Sequence, residues 1–318
     1  MARVGLVLGA GGILGHAFHA GVLAALANAT GWDPREAEVV VGTSAGSVVG
    51  SLLRAGLSAA DHYARFTGGA VSAAGVRLFE QLGPPQPVPP HPGLGWPTMA
   101  SPATWLSAAR RPWATRPGVL LAATLPAGRI PTDGIAVGLR RVYGTGWAAR
   151  PLWLCAVQLA SGERVVFGRD GAPPAALPDA VRASCAIPAY FEPVTICGAR
   201  YVDGGAWSPT NLDVLAGLGL DLVVVSSPMS MVPGALRVGI DVGPRMLCHW
   251  QLVQERMRVR LRGTPVVVIE PGRQVRAAMG LDAMNPRKRR AVAEVAHDAV
   301  RRRFERATVR DELAALAG

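Results

Sequence analysis

The chain has 318 residues, 50% of them hydrophobic and 17% charged, with a formal net charge of +11. That length buries a sizeable core as one large α/β domain or two smaller ones, and the composition excludes wholesale disorder. No uninterrupted apolar run reaches the roughly 18 to 20 residues that span a bilayer.

Met1-Ala2-Arg3 leads directly into Val4-Gly5-Leu6-Val7-Leu8. Residues 3–9 read as a first buried strand rather than a secretion signal, so a cytoplasmic protein is the expectation. Residues 10–15 form a glycine-rich turn, and the small apolar residues 16–27 read as a helix packed close to a sheet. Glu38 to Gly42 is a second buried strand, Thr43 to Gly46 a turn, and Ser47 to Arg54 a helix. Ten prolines fall between Pro84 and Pro117. They leave no regular element over 83–118, which reads as a lid, a surface excursion or a linker. Trp96, Trp105 and Trp113, with Arg110, Arg111 and Arg116, would suit a cover at a water–lipid boundary or pack onto the body of the protein.

Strand-like runs resume at 152–159 and 164–167, and 178–186 reads as a helix. Val194–Ile196 and Arg200–Val202 flank Cys197-Gly198-Ala199 as a hairpin. Leu222–Val225 and Val266–Ile269 are further buried strands. Arg245–Arg262 and Pro286–Arg306 read as long helices, the second capped by Asn285 with Pro286 at its first position. This alternation predicts an α/β fold with a mainly parallel sheet covered on both faces.

Cys155, Cys185, Cys197 and Cys248 lie far apart without a C-x-x-C pair, and read as buried free thiols rather than a disulfide framework or a metal site. Lys288 is the one lysine among 33 basic residues. The arginine excess thus reflects coding bias in part, and nucleic acid is not an expected partner.

Gly42-Thr43-Ser44-Ala45-Gly46 is a G-x-S-x-G pattern between a strand and a helix. A sharp strand-to-helix turn forces the serine into a strained backbone, projects its Oγ, and needs little side chain two residues to either side. Gly9-Ala10-Gly11-Gly12-Ile13-Leu14-Gly15 occupies the corresponding position after the first strand. As a dinucleotide loop its frames are broken by Leu14 and Ala10; as an oxyanion loop it offers backbone amides. A purely structural glycine turn is the plain alternative.

A serine nucleophile needs a base. None of His16, His19, His62, His91, His249 and His297 falls in the loop that a Ser-His-Asp triad would use; His16 and His19 lie beside the glycine loop on the first helix, where both could simply face solvent. Asp203 in Asp203-Gly204-Gly205 is the better base, because a strand-end carboxylate followed by two glycines can approach another loop closely. Asp133-Gly134 and Asp170-Gly171 are rivals with one glycine each, read as a helix start and a turn.

Together the glycine loop, the G-x-S-x-G at Ser44 and the Asp-Gly-Gly at Asp203 resemble the patatin-like phospholipase family. The likeness extends through Ala183-Ser184-Cys185-Ala186-Ile187-Pro188, Phe191-Glu192-Pro193-Val194, Ser208-Pro209-Thr210-Asn211 and Val225-Ser226-Ser227-Pro228. It implies a three-layer α/β/α sandwich. Residues 1–230 would be the catalytic core, with 83–118 as its Pro-rich lid or excursion, and 231–318 would complete the same domain. It also implies hydrolysis of lipid or acyl esters without metal or organic cofactor. Ser44 would be the nucleophile, Asp203 the general base, and the amides around Ala10, Gly11 and Gly12 the oxyanion hole, supported by Gly42, Gly46, Gly204 and Gly205. Many members carry a basic residue where Leu14 stands and glycine where Ala10 stands. Without that positive side chain, a neutral or thioester acyl substrate fits at least as well as a phospholipid. An acyltransferase or a non-catalytic lipid-binding member would share the pattern, and an oxidoreductase is more distant.

Residues 287–310 carry nine basic and three acidic side chains. With Ala291, Val292, Val295, Ala299 and Phe304 turned to the core, the arginines would face outward. That face is a candidate peripheral contact with an anionic membrane; a solvated basic helix is the plain alternative.

Overall fold

The computed structural model of the protein describes residues 2–84, 86, 87, 101, 104, 116–232 and 241–305. Strand β1 (Val4–Leu8), helix α1 (Gly12–Thr30), strand β2 (Val39–Gly42) and helix α2 (Ala45–Arg54) open the chain. Helix α1 begins inside the glycine turn, because Leu14 N–H donates to Ala283 O at 2.9 Å and Gly15 N–H to Gly11 O at 2.8 Å. Helices α3 (Ala59–Thr67) and α4 (Ala73–Leu82) follow. The hydroxyls of Ser58 and Ser72 cap them, accepting from Asp61 N and Gly75 N.

Beyond the proline tract come α5 (Pro117–Thr124), α6 (Asp133–Tyr143), β3 (Leu152–Gln158), β4 (Arg164–Phe167) and α7 (Leu177–Ser184). Most of the proposed lid, with its three tryptophans, lies outside the described residues; of the rest, Ser101 and Thr104 are buried and Pro117 already begins α5. Arg116 is described, with its guanidinium 5.3 Å from the centre of the Trp207 ring. The hairpin of β5 (Val194–Ile196) and β6 (Ala199–Asp203) turns at Cys197 and Gly198, both with positive φ, 48° and 76°. The chain then forms β7 (Leu222–Ser226), α8 (Val242–Arg260), β8 (Val266–Ile269), α9 (Arg273–Met279) and α10 (Arg289–Phe304). Asn285 Oδ1 accepts from Arg287 N at 3.0 Å and caps the 3-10 turn Pro286–Lys288, whereas α10 itself begins later than expected, at Arg289, with no side-chain cap.

The eight strands form one sheet. Strands β3, β2, β1, β7 and β8 run parallel in that order, while β4, β5 and β6 pair antiparallel. Leu154 pairs with both Gly42 and Phe167, and Ala156 with both Asp203 and Val165. Strand β4 therefore takes one edge of β3. Strands β2 and β6 share the other edge end to end, running toward each other.

Alternation along the strands separates two cores. Leu6, Leu8, Val40, Leu154, Val224 and Val267 pack under α1, α2, α7 and α10. Val7, Val41, Cys155, Val223, Val225 and Val266 pack under α8 and the 3-10 turn Leu212–Leu215. The result is the three-layer sandwich, with α8 and α10 on opposite faces of the sheet.

Three expectations change. Among the described residues, α1 is long and apolar enough by length and composition to cross a membrane, although no unbroken apolar run stands out in the sequence. Most of it is buried as the core helix beneath α10. Helix α10 buries Val292, Ala293, Ala296, Val300 and Phe304, while Ala291 is exposed. Its seam is turned because α1 and α10 touch at Gly21, where a Cβ would stand 2.3 Å from Ala293 O. All four cysteines are free, but Cys197 is exposed at its hairpin turn instead of buried.

Candidate active site

The shared edge of β3 governs the geometry. Gly42 ends β2 opposite Leu154, and Asp203 ends β6 opposite Ala156. Ser44, two residues beyond Gly42, thus meets the end of β6 head on, with its side chain close enough to the Asp203 carboxylate to lower its pKa. Both residues are 4% exposed. Burial pushes the Asp203 carboxyl up to about 6, against the lowering effect of the nearby Ser44 side chain and of a hydrogen bond from Gly205 N–H at 2.7 Å.

Ser44 has φ 52° and ψ −117°, an unfavourable conformation for a residue with a Cβ. Several contacts hold it there. Its N–H donates to Ser184 Oγ at 3.0 Å, and its carbonyl accepts from Ser47 Oγ at 2.6 Å and Cys185 Sγ at 3.3 Å. The elbow is closed tightly: a Cβ on Gly46 would stand 1.8 Å from Leu8 O, and one on Gly42 2.6 Å from Ser47 Cα.

The glycine loop runs alongside. A Cβ on Gly205 would lie 3.5 Å from Ala10 Cβ, and one on Gly15 3.0 Å from Ala45 Cβ. All three sequence motifs are therefore adjacent. The Ala10 amide, however, donates to Pro209 O at 2.8 Å, so it is not available to a substrate. The Gly11 and Gly12 amides have no backbone acceptor among the described residues, and the Ile13 amide lies next to them at the start of α1. No side chain caps α1, so its N-terminal partial positive charge is open to an oxyanion. Gly12 has φ 57°, a left-handed conformation that suits glycine.

Among the described residues, no histidine is hydrogen-bonded to Ser44. His19 is buried, not solvent-facing, with Nε2 2.9 Å from Gly9 O and Nδ1 2.8 Å from Ser226 Oγ. Burial lowers its pKa to about 4, and that of half-buried His16 to about 3. Asp133 is exposed at the start of α6, in ion pairs with Arg140 and Arg182. Asp170 lies in a turn.

Residues that sequence reasoning left without a role hold the site together. Asn211 Nδ2 donates to Thr43 Oγ1, Ser208 O and Gly204 O, tying the elbow to the Asp-Gly-Gly turn. Buried Glu255 on α8 accepts from Thr210 Oγ1 at 2.7 Å and Leu212 N at 2.9 Å. Arg164 joins Asp213 at 2.6 Å and Asn211 Oδ1 at 3.1 Å. The motif Ser208–Asn211 was the available signal for this network. A cavity of about 320 Å³ opens beside Gly11 and Leu14, with Pro228, Met229, Met279 and Leu281 in its wall. Among the described residues, no group of three or more His, Cys, Asp or Glu side chains could hold a metal ion.

A family model described as Patatin-like phospholipase matches residues 6–216. Among solved structures, that of VipD from Legionella pneumophila is similar over 96% of this chain and 67% of that one, at 14% identity and a TM-score of 0.46.

Proposed function

The chain belongs to the patatin-like phospholipase family, and on that premise we propose that it hydrolyses lipid acyl esters with Ser44 as nucleophile and Asp203 as general base. The observation that carries the reading is the positive-φ Ser44 with its side chain on a buried carboxylate whose pKa is raised to about 6. A base poised there is ionised at neutral pH yet basic enough to take a proton.

Ser44 Oγ attacks the ester carbonyl as its proton passes to Asp203. The tetrahedral oxyanion is held by the amides of Gly11 and Gly12, with the α1 N-terminus behind them. Collapse breaks the ester C–O bond, and the leaving alcohol takes the proton from Asp203. Water then attacks the acyl-serine, losing a proton to Asp203, and that proton returns to Ser44 Oγ as the fatty acid leaves. Leu14 and its apolar neighbours at the cavity suit an acyl chain, and the cation among its lining residues, Arg245, is held by Asp241 and by the carbonyls of Pro228 and Ser230, which supports neutral or thioester substrates beside phospholipids.

A panel of p-nitrophenyl esters and phospholipids tests this. Ser44→Ala is expected to lower kcat/KM by about a thousandfold or more on every substrate that the wild type cleaves, with the fold intact. Unchanged turnover in that variant would overturn the assignment.

A further inference from the structure

Helix α8 turns one face to the sheet through Leu252, Glu255 and Val259. On its opposite side Leu247, Trp250 and Met257, with Leu261 just past its end, are 54%, 59%, 61% and 79% exposed. These are four of the eight large hydrophobic side chains exposed among the described residues. With Gln254 they repeat at spacings of three and four, forming one stripe about 21 Å long at 1.5 Å per residue.

At 100° per residue, Arg258 and Arg260 fall on the two sides of that stripe, and Arg262 extends the basic rim. All three are exposed. Between 243 and 263 the one acidic residue is Glu255, which is buried. Arg258 reaches Asp213 Oδ2 at 3.7 Å, so the face offers an apolar row whose freest cations are Arg260 and Arg262, neither with an acidic partner among the described residues. At the N-terminal end of α8, Asp241, Pro244 and Arg245 line the cavity that also reaches Gly11 and Leu14. The stripe thus starts beside the candidate active site.

We propose that the outer face of α8 is the surface by which this protein lies on an anionic lipid layer. Leu247, Trp250, Met257 and Leu261 enter the headgroup–acyl boundary, and the arginines contact phosphates. The inference rests on the lipid-hydrolase reading only for its purpose, which is to present substrate to the cavity. A second copy of the chain fits less well. Pairing two stripes would bring arginine rims together, where helix pairs use opposite charges. The basic helix α10 lies on the other face of the sheet, and its Arg290 and Arg301 are paired with Glu294 and Glu305.

The full chain is tested by cosedimentation with vesicles of phosphatidylcholine alone and mixed with phosphatidylglycerol, alongside size-exclusion chromatography with light scattering. Ser44→Ala is run in parallel and is expected to bind as the wild type does, which separates docking from catalysis. Binding is expected to favour the mixed vesicles and to weaken with salt. Trp250→Glu with Met257→Glu is expected to reduce it at least about tenfold without changing cleavage of a soluble short-chain ester. Arg260→Ser with Arg262→Ser is expected to lower the anionic preference by about fivefold per arginine. Replacing Arg290, Arg301 and Arg302 on α10 by serine is expected to leave binding unchanged. Wild-type protein that ignores mixed vesicles, or an α8 variant that binds as tightly as wild type, would overturn the proposal. So would a wild-type dimer that Trp250→Glu with Met257→Glu converts to monomer, which assigns the stripe to a second copy.

Discussion

His19 Nε2 donates to the carbonyl oxygen of Gly9 at 2.9 Å. A carbonyl only accepts, so Nδ1 is the bare nitrogen and takes the Ser226 hydroxyl proton at 2.8 Å. This is the neutral form that burial favours, with the pKa lowered to about 4. His19 thereby fastens the start of the glycine loop to the end of β7. His19→Leu leaves both partners buried and unpaired, at a cost of about 1–3 kcal/mol. A lower midpoint of thermal unfolding and slower ester cleavage are expected together. An unchanged midpoint would show that the loop does not depend on this ring.

Asp203 sets the pH dependence. Its carboxyl is raised from 3.8 to about 6 by burial, so the candidate base is protonated below that value. The acid limb of kcat/KM is expected near pH 6, and an acid limb near 4 would contradict it. Stability runs the other way. A carboxyl whose folded pKa is raised stabilises the fold fully below its unfolded pKa, and that contribution is lost as pH rises through 6. Asp203→Asn removes the buried charge. At pH 8 it is expected to gain stability, on the order of 2 kcal/mol, while losing nearly all activity. Urea unfolding of both proteins at pH 4.5 and pH 8 measures the difference.

Gly46 and Gly31 separate close approach from backbone strain. A Cβ on Gly46 meets Leu8 O at 1.8 Å, whereas one on Gly31 meets nothing within 4 Å although φ is 73°. Gly31→Ala is expected to cost about 1 kcal/mol. Gly46→Ala must push α2 away from β1, and is expected to cost more than about 3 kcal/mol or to leave the protein insoluble. Equal midpoints for the two variants would show that the elbow is looser than its geometry indicates.

Local rules made much of this fold legible. The Val39–Val41 run, the Cys197-Gly198 turn, the Asn285 cap and the elbow at Ser44 each depend on neighbours in sequence. The pairing of Ala10 N with Pro209 O did not, because nothing near Ala10 signals an acceptor so distant in the chain. That one bond narrows the candidate oxyanion hole to the amides that follow it. Ser184 and Asn211 act through similarly long-range hydrogen bonds, on Ser44 N and Thr43 Oγ1. The face of α10 was misplaced by a small rotation, because periodicity places a stripe only approximately and the contact at Gly21 decides its angle.

The central claim is that Ser44 is an activated nucleophile, and covalent labelling measures it directly. The protein is treated with a fluorophosphonate at pH 8, digested, and the modified peptide mapped by mass spectrometry. The account predicts one phosphonyl group, carried by the peptide containing Ser44. Ser44→Ala is predicted to take up none, and Asp203→Asn to react far more slowly. Wild-type protein that stays unlabelled, or that carries the label on another residue, would contradict it.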